Sequence, residues 1–380
     1  MEQFTMHNPV KLHFGRGVTG GLGDSISAYG KRVLFVYGGG SIKRNGIYAE
    51  IIAQLGKIGA EVFEYDGIKP NPIVEDVDAA AALGRNHKID VILAVGGGSV
   101  IDSAKIISIS IPVSHSGWDF IKGKEKPGSA VPLVAVLTLA ATGTEMNRFA
   151  VVQNNKTLEK LGYGDKLTYP KESFLDPAFT ISVPAHYTSY GISDLIAHCL
   201  EAYFGEGEAS LSDRYVYSIS HEALEYGPRL MTDLTNYDLR EKIMYAATSA
   251  LNNLTMYGRK YGDWGVHSIG HVLSVLYDVP HGASLSIAYP AWMKLHLNRC
   301  PERIEQLGYH LFGTQTAEET IAEFENFFRK IQSPLTLKSL GIDAAAKGEE
   351  IFNTMKSNRV GGNHHKLNDD DYRELIRLMA

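Results

Sequence analysis

The chain has 380 residues, more than one ordinary core organises, so two domains are expected. A formal net charge of −6, with basic runs no longer than the dipeptides Lys31-Arg32 and Lys43-Arg44, argues against nucleic acid as a partner. No apolar run approaches the roughly 18 residues of a membrane span, the first thirty residues lack an apolar signal-like core, and the two cysteines, Cys199 and Cys300, make no disulfide framework, so a cytoplasmic protein is expected.

In chain order, residues 1–30 hold short extended pieces such as Val10–Phe14, then the turn-rich stretch Gly15–Gly23. Arg32–Tyr37 is a continuous apolar run of strand length and ends in Gly38-Gly39-Gly40-Ser41. A helix is expected over Ile47–Ile58, a second strand over Glu61–Tyr65, a turn at Asn71-Pro72 and a helix over Val74–Asn86. Asp90–Val95 is the third strand. Strands alternating with helices of about a dozen residues indicate a parallel sheet with right-handed crossovers. A further strand, Val131–Leu137, leads into Thr138–Asn147, and extended pieces recur around Phe149–Val152 and Ser173–Leu175. Pro184 marks the expected boundary between an α/β domain, residues 1–184, and an all-helical domain, residues 185–380. Helices are expected there at 186–204, 210–229, 237–256, 262–277, 284–297, 301–312, 316–332, 345–356 and 368–379.

The third strand runs directly into Gly96-Gly97-Gly98-Ser99-Val100-Ile101-Asp102. A glycine-rich turn between a strand and a helix N-terminus is an anion site, because glycine lets backbone N–H groups approach phosphate and the helix dipole favours negative charge. The turn fits neither the Gly-x-Gly-x-x-Gly fingerprint nor a Walker A loop. A glycine triplet alone more often serves a tight turn; its place between an apolar strand and a helix favours the phosphate reading. In the second half, Trp264–Gly282 brings His267, His271 and His281 together, and His267 and His271 share a helix face. Val279-Pro280 predicts a bend at His281. Asp194 and His198 make a second i, i+4 pair among apolar neighbours, where an ionised carboxylate is costly unless paired or bound to a metal. Ordinary core histidines and a buried Asp–His hydrogen bond are the plainer alternatives. Taken together, a carboxylate with three imidazoles would hold a divalent cation and leave a position open for a substrate oxygen.

Gly-Gly-Gly-Ser-Val-Ile-Asp (96–102), Ala-Thr-Gly-Thr-Glu (141–145), Asp-x-x-x-His (194–198) and His-x-x-x-His…His-Gly (267–282) follow one another in order. Jointly they resemble the iron-containing, or group III, metal-dependent alcohol dehydrogenases, in particular the NADPH-dependent butanol dehydrogenase/aldehyde reductase type. The resemblance spans nearly the whole chain. It implies a Rossmann-like dinucleotide-binding domain followed by an all-α domain, the dehydroquinate synthase-like architecture, and a homodimer. It also implies that Asp194, His198, His267 and His281 are the metal ligands, and that His271, which spacing alone cannot separate from them, lies beside the active site. Gly97, Gly98 and Ser99 match the pyrophosphate loop, Asp102 a position near the nicotinamide, and Asn71, Thr138, Thr142, Asn147, Lys160 and Phe179 positions that line the cofactor. Gly143-Thr144-Glu145 replaces the family's usual Gly-Ser-Glu and keeps the hydroxyl.

The activity so implied is interconversion of aliphatic aldehydes such as butanal with primary alcohols, using NADP(H) and one Fe2+ or Zn2+ ion, with His271 and Asp102 as catalytic candidates. NADP is favoured over NAD because an NAD site wants a carboxylate after such a strand, and Gly39 stands where NAD-using relatives carry Asp. Gly40 and Ser41, with Lys43 and Arg44 just beyond, are instead suited to a 2′-phosphate. Competing readings are a polyol dehydrogenase, a lyase like dehydroquinate synthase, and a non-catalytic nucleotide- or metal-binding regulator. The absence of Lys or Arg near the proposed ligands speaks against the lyase, and an open metal position against the regulator.

Overall fold

The structure is a computed structural model describing all 380 residues, Met1–Ala380. It divides into two compact units, His7–Val183 and Met1–Met6 with Pro184–Ala380. The first six residues therefore belong with the helices, where Glu2 N donates to Gly258 O at 2.9 Å.

Six strands of the first unit form one sheet: β1 (Lys11–Phe14), β2 (Arg32–Gly38), β3 (Glu61–Ile68), β4 (Val91–Gly96), β5 (Leu133–Leu137) and β8 (Glu172–Leu175). Their order is β1-β8-β5-β4-β2-β3, and every neighbouring pair is parallel. The apolar runs explain the centre: β4 is buried throughout and β5 likewise, as strands covered on both faces must be. Helices α1 (Leu22–Ser27), α2 (Ser41–Arg44), α3 (Ile47–Lys57), α4 (Val74–Asn86), α5 (Gly98–Ser110) and α6 (Gly117–Ile121) complete the unit. Ile47, Ile51 and Leu55 of α3 belong to one buried cluster with Phe35, Val91, Leu93 and Val134, and each such buried side chain contributes about 1.5–3 kcal/mol. A separate antiparallel hairpin pairs β6 (Phe149–Asn154) with β7 (Glu159–Gly164). The sequence showed β6 but not β7, whose Glu-Lys-Leu-Gly-Tyr-Gly lacks β-branched residues.

In a parallel sheet all strands end on one edge. The turns after β2, β4 and β5 therefore lie side by side, bringing Gly39–Ser41, Gly97–Ser99 and Thr138–Thr142 to one edge. This is where parallel α/β sheets take ligands.

The second unit is helical: α7 (Ala185–Tyr203), α8 (Ser210–Thr232), α9 (Tyr237–Ala250), α10 (Gly265–Tyr277), α11 (His281–Leu295), α12 (Pro301–Phe312), α13 (Ala317–Lys330), α14 (Ala344–Ser357) and α15 (Asp369–Met379). The α/β unit followed by an all-helical one is the architecture expected from sequence. Helix α9 stops six residues short of expectation, because Asn252 caps a turn and Asn253 takes a left-handed conformation. The bend expected at the Val279-Pro280 signal is present, immediately before His281. The bend is made by Asp278, left-handed at φ 53°, and Pro280, and His281 opens α11.

Close helix approach fixes where His281 sits. A Cβ built on Gly282 would stand 1.9 Å from the carbonyl oxygen of Tyr190 on α7, and one on Gly270 would meet Ser284 Oγ at 2.6 Å. Gly282→Ala must push α11 off the backbone of α7. A loss of about 1–3 kcal/mol is expected, read as a lower midpoint in chemical denaturation.

Candidate functional site

Helix α7 carries Asp194 and His198 on one face, α10 carries His267, and the first residue of α11 is His281. Asp194, His267 and His281 each bring one donor atom within 4.8 Å of the other two. The carboxylate oxygen Asp194 Oδ1 lies 3.7 Å from His267 Nε2 and 3.7 Å from His281 Nε2. His198 is outside that trio, but its Nδ1 lies 3.5 Å from the same Oδ1. Its ring stacks obliquely on His267, centroids 4.8 Å apart. His271, one turn beyond His267, turns toward His281, with ring centroids 5.5 Å apart. The structure thus brings the residues with expected ligand roles together and sets His271 beside them.

Asp194 Oδ1, His198 Nδ1 and His267 Nε2 are all buried and have no hydrogen-bond partner. Buried polar atoms are rarely left so, because each costs about 1–3 kcal/mol of lost solvation. A divalent cation satisfies all of them at once, and a carboxylate with imidazoles is a donor set suited to Fe2+ or Zn2+. Local electrostatics agree. Burial pushes His198 down to about 4 despite Asp194, and positive charge on His267 adds to the depression. Burial acts the same way on His267, but the carboxylates of Asp194 and Glu201 outweigh it and raise that imidazole to about 9. The cluster is built to hold positive charge, which the protein alone can supply only as a proton.

In the α/β unit, Gly97 caps α5 and Gly98 begins it. A Cβ on Gly98 would stand 2.6 Å from Thr142 Cγ2, so only glycine lets the two turns touch. Ser99 Oγ donates to Pro70 O, and Lys160 Nζ donates to Asn71 Oδ1 at 2.7 Å, which ties two expected cofactor positions directly together. Thr138 N donates to Gly96 O at 2.9 Å. Phe179 lies in the core packed on the sheet. After β2, Gly39 has open space where a side chain would project, and Gly40 is left-handed. Lys43 is occupied: it lies over the rings of Tyr37 and Tyr48 and 3.9 Å from Glu64. Glu64, on β3, also accepts from Tyr37 and Tyr48 hydroxyls at 2.5 and 2.7 Å. Glu64 stands opposite Phe35 in the register, short of the strand end at Gly38, and its carboxylate is engaged by these groups.

Asp102 is not open to reactants. Its Oδ1 accepts from Thr144 Oγ1 at 2.6 Å and its Oδ2 from Val151 N at 2.8 Å. Burial raises its carboxyl above the usual range, against the nearby Lys105 charge. Lys105, fully buried, donates to Thr144 Oγ1, Asn147 Oδ1 and Phe149 O at 2.6, 3.1 and 2.6 Å. This network holds the Gly143–Val151 segment, with Asn147 in it, against α5. Sequence reading missed Lys105, and it missed Glu201, which accepts from His267 N and His267 Nδ1, both at 2.9 Å. The Glu201 signal was available: positions 194, 198 and 201 share one helix face. Asp263, which accepts from His364 N and His365 N, gave no such signal.

Comparison with known proteins accords with this geometry. Residues 9–177 match the family described as iron-containing alcohol dehydrogenase, and residues 188–379 match the C-terminal part of the Fe-containing alcohol dehydrogenase family. The chain is 40% identical to probable NADH-dependent butanol dehydrogenase 1 of Bacillus subtilis, over 99% of each chain. It is 33% identical to the NADPH-dependent aldehyde reductase YqhD of Escherichia coli, over 91% of each. The crystal structure of NADH-dependent butanol dehydrogenase A from Thermotoga maritima superposes with a TM-score of 0.96 at 37% identity, covering 100% of this chain and 99% of that one. The fold and site define a two-domain, nicotinamide- and metal-dependent oxidoreductase. More particularly, the chain belongs to the iron-containing alcohol dehydrogenase family.

The Asp102–Lys105 network gives a prediction of its own. Lys105→Met leaves Asp102 buried without its cation, and a loss of about 3–5 kcal/mol is expected in denaturant unfolding. The double variant Asp102→Asn/Lys105→Met should recover part of it.

Proposed function

We propose that this chain reduces medium aliphatic aldehydes to primary alcohols, and reverses the reaction, with NADPH as the preferred nicotinamide and one Fe2+ or Zn2+ ion held by Asp194, His198, His267 and His281. The observation that carries the reading is the convergence of two buried, partnerless nitrogens, His198 Nδ1 and His267 Nε2, on the equally partnerless Asp194 Oδ1. When bound, the cation supplies Lewis acidity and the reduced nicotinamide a hydride. The chain's own residues do the rest. Asp194 and the three imidazoles hold the charge in place, and the turns at Gly97–Ser99 and Thr138–Thr142 hold the dinucleotide. Asn147 is kept oriented by Lys105 and by its own N–H···O bond to Gly143 at 2.9 Å. His271, outside the ligand trio, moves a proton at Nε2, the buried nitrogen of its ring. Asp102 positions the Thr144 segment rather than touching the reacting atoms. A cytoplasmic homodimer completes the proposal.

The NADPH preference rests on the open space beside Gly39 and on Ser41 and Arg44, both exposed at the strand end. Relatives named NADH-dependent stand on the other side of this question. The test is one assay. Protein stripped of metal and resupplied anaerobically with Fe(II) or Zn(II) is given butanal with NADPH or NADH, as wild type and as Gly39→Asp. Turnover restored by metal and faster with NADPH is expected in the wild type, and Gly39→Asp should move the NADPH/NADH ratio toward NADH by about tenfold or more. An unchanged ratio would sink the cofactor argument; cofactor binding without turnover under either metal would sink the reaction.

A further inference from the structure

The carboxylate of Glu201 faces His267 but is not one of the expected ligands; it is almost wholly buried and sits in the turn of α7 that follows His198. Its Oε1 takes two N–H groups of one residue, the backbone N–H of His267 and ring Nδ1, each at 2.9 Å. Its carbonyl oxygen takes a third, from Asp263 N at 2.9 Å. A helix-to-helix staple would need only the backbone bonds. The bond to Nδ1 does something more specific.

An ionised carboxylate can only accept, so the nitrogen facing it must carry the proton. With Nδ1–H fixed, Nε2 is the nitrogen that gives up its proton when a cation takes the site. That is the atom left buried without a hydrogen-bond partner, 3.7 Å from Asp194 Oδ1. The two bonds from one residue to one oxygen also fix the ring's rotation about its side-chain torsions. We infer that Glu201 is a positioning residue for cation binding: it sets the tautomer and the angle of His267, so that Nε2 meets the cation together with Asp194. Helix α7 then supplies two ligands from its own face, Asp194 and His198, and from the next turn of that face it aims the ligand on α10.

The inference rests on the cation reading of the site, and its test separates the two. Zinc affinity is measured by competition with a chromophoric chelator for wild type, Glu201→Gln, His267→Ala and the double variant, with melting of the metal-free proteins alongside. Glu201→Gln removes the charge that draws the Nδ1 proton and presents an amide that can donate instead. It is expected to weaken zinc binding by about 10–100-fold in the otherwise native chain, and by about twofold or less when His267 is already Ala. Equal weakening in both backgrounds, or none in either, would overturn the inference and leave the cation site standing. A wild-type chain that takes up no zinc would overturn both. Should Glu201→Gln fail to fold, Glu201→Asp, which keeps the charge but withdraws it by one methylene, carries the same expectation of coupling through His267.

Discussion

The arrangement of the helical unit depends on one costly group, the carboxylate of Asp194, placed where water does not reach. Left alone in such a place, an ionised carboxylate costs several kcal/mol, and a protein keeps it only when something opposite in charge comes with it. Here the surrounding imidazoles come from three helices, and each helix is held by a device that would be wasteful otherwise. Gly282 lets α11 touch the backbone of α7. Glu201 ties α7 to the first turn of α10. Trp264, left-handed at φ 64°, opens α10 with its ring edge-on to His267 at 5.3 Å.

The α/β unit answers a different demand. Its sheet is apolar through the centre, so its polar chemistry is confined to the strand ends, and three adjacent strands end in glycine or hydroxyl turns. What keeps those turns in shape is again a buried charge, Lys105, set between Asp102 and the Thr144–Phe149 backbone. Both units thus use a buried ionic group to fix a loop or a helix end, one for a nucleotide edge and one for a cation.

Much of this was legible in the sequence because it follows from period and punctuation. Continuous apolar runs gave the central strands, and Asp194/His198 and His267/His271 shared helix faces at a spacing of four. What was not legible depends on contacts between distant segments. The hairpin strand Glu159–Gly164 has no strand-like composition and exists because β6 pairs with it. Nothing local announces that Lys43 is drawn off by Tyr37, Tyr48 and Glu64, or that Asp102 spends both oxygens on Thr144 and Val151. Which of His267 and His271 faces Asp194 is a matter of how each ring is turned, and helical spacing is blind to that.

The most direct test of the account is the position of the cation itself. Crystals of the chain loaded with zinc, measured at wavelengths on either side of the zinc absorption edge, should show one strong anomalous peak. The account places it within coordination distance, about 2.0–2.2 Å, of Asp194, His198, His267 and His281, with His271 outside that sphere. A peak coordinated by His271 in place of His198, or one located away from Asp194 altogether, would contradict it.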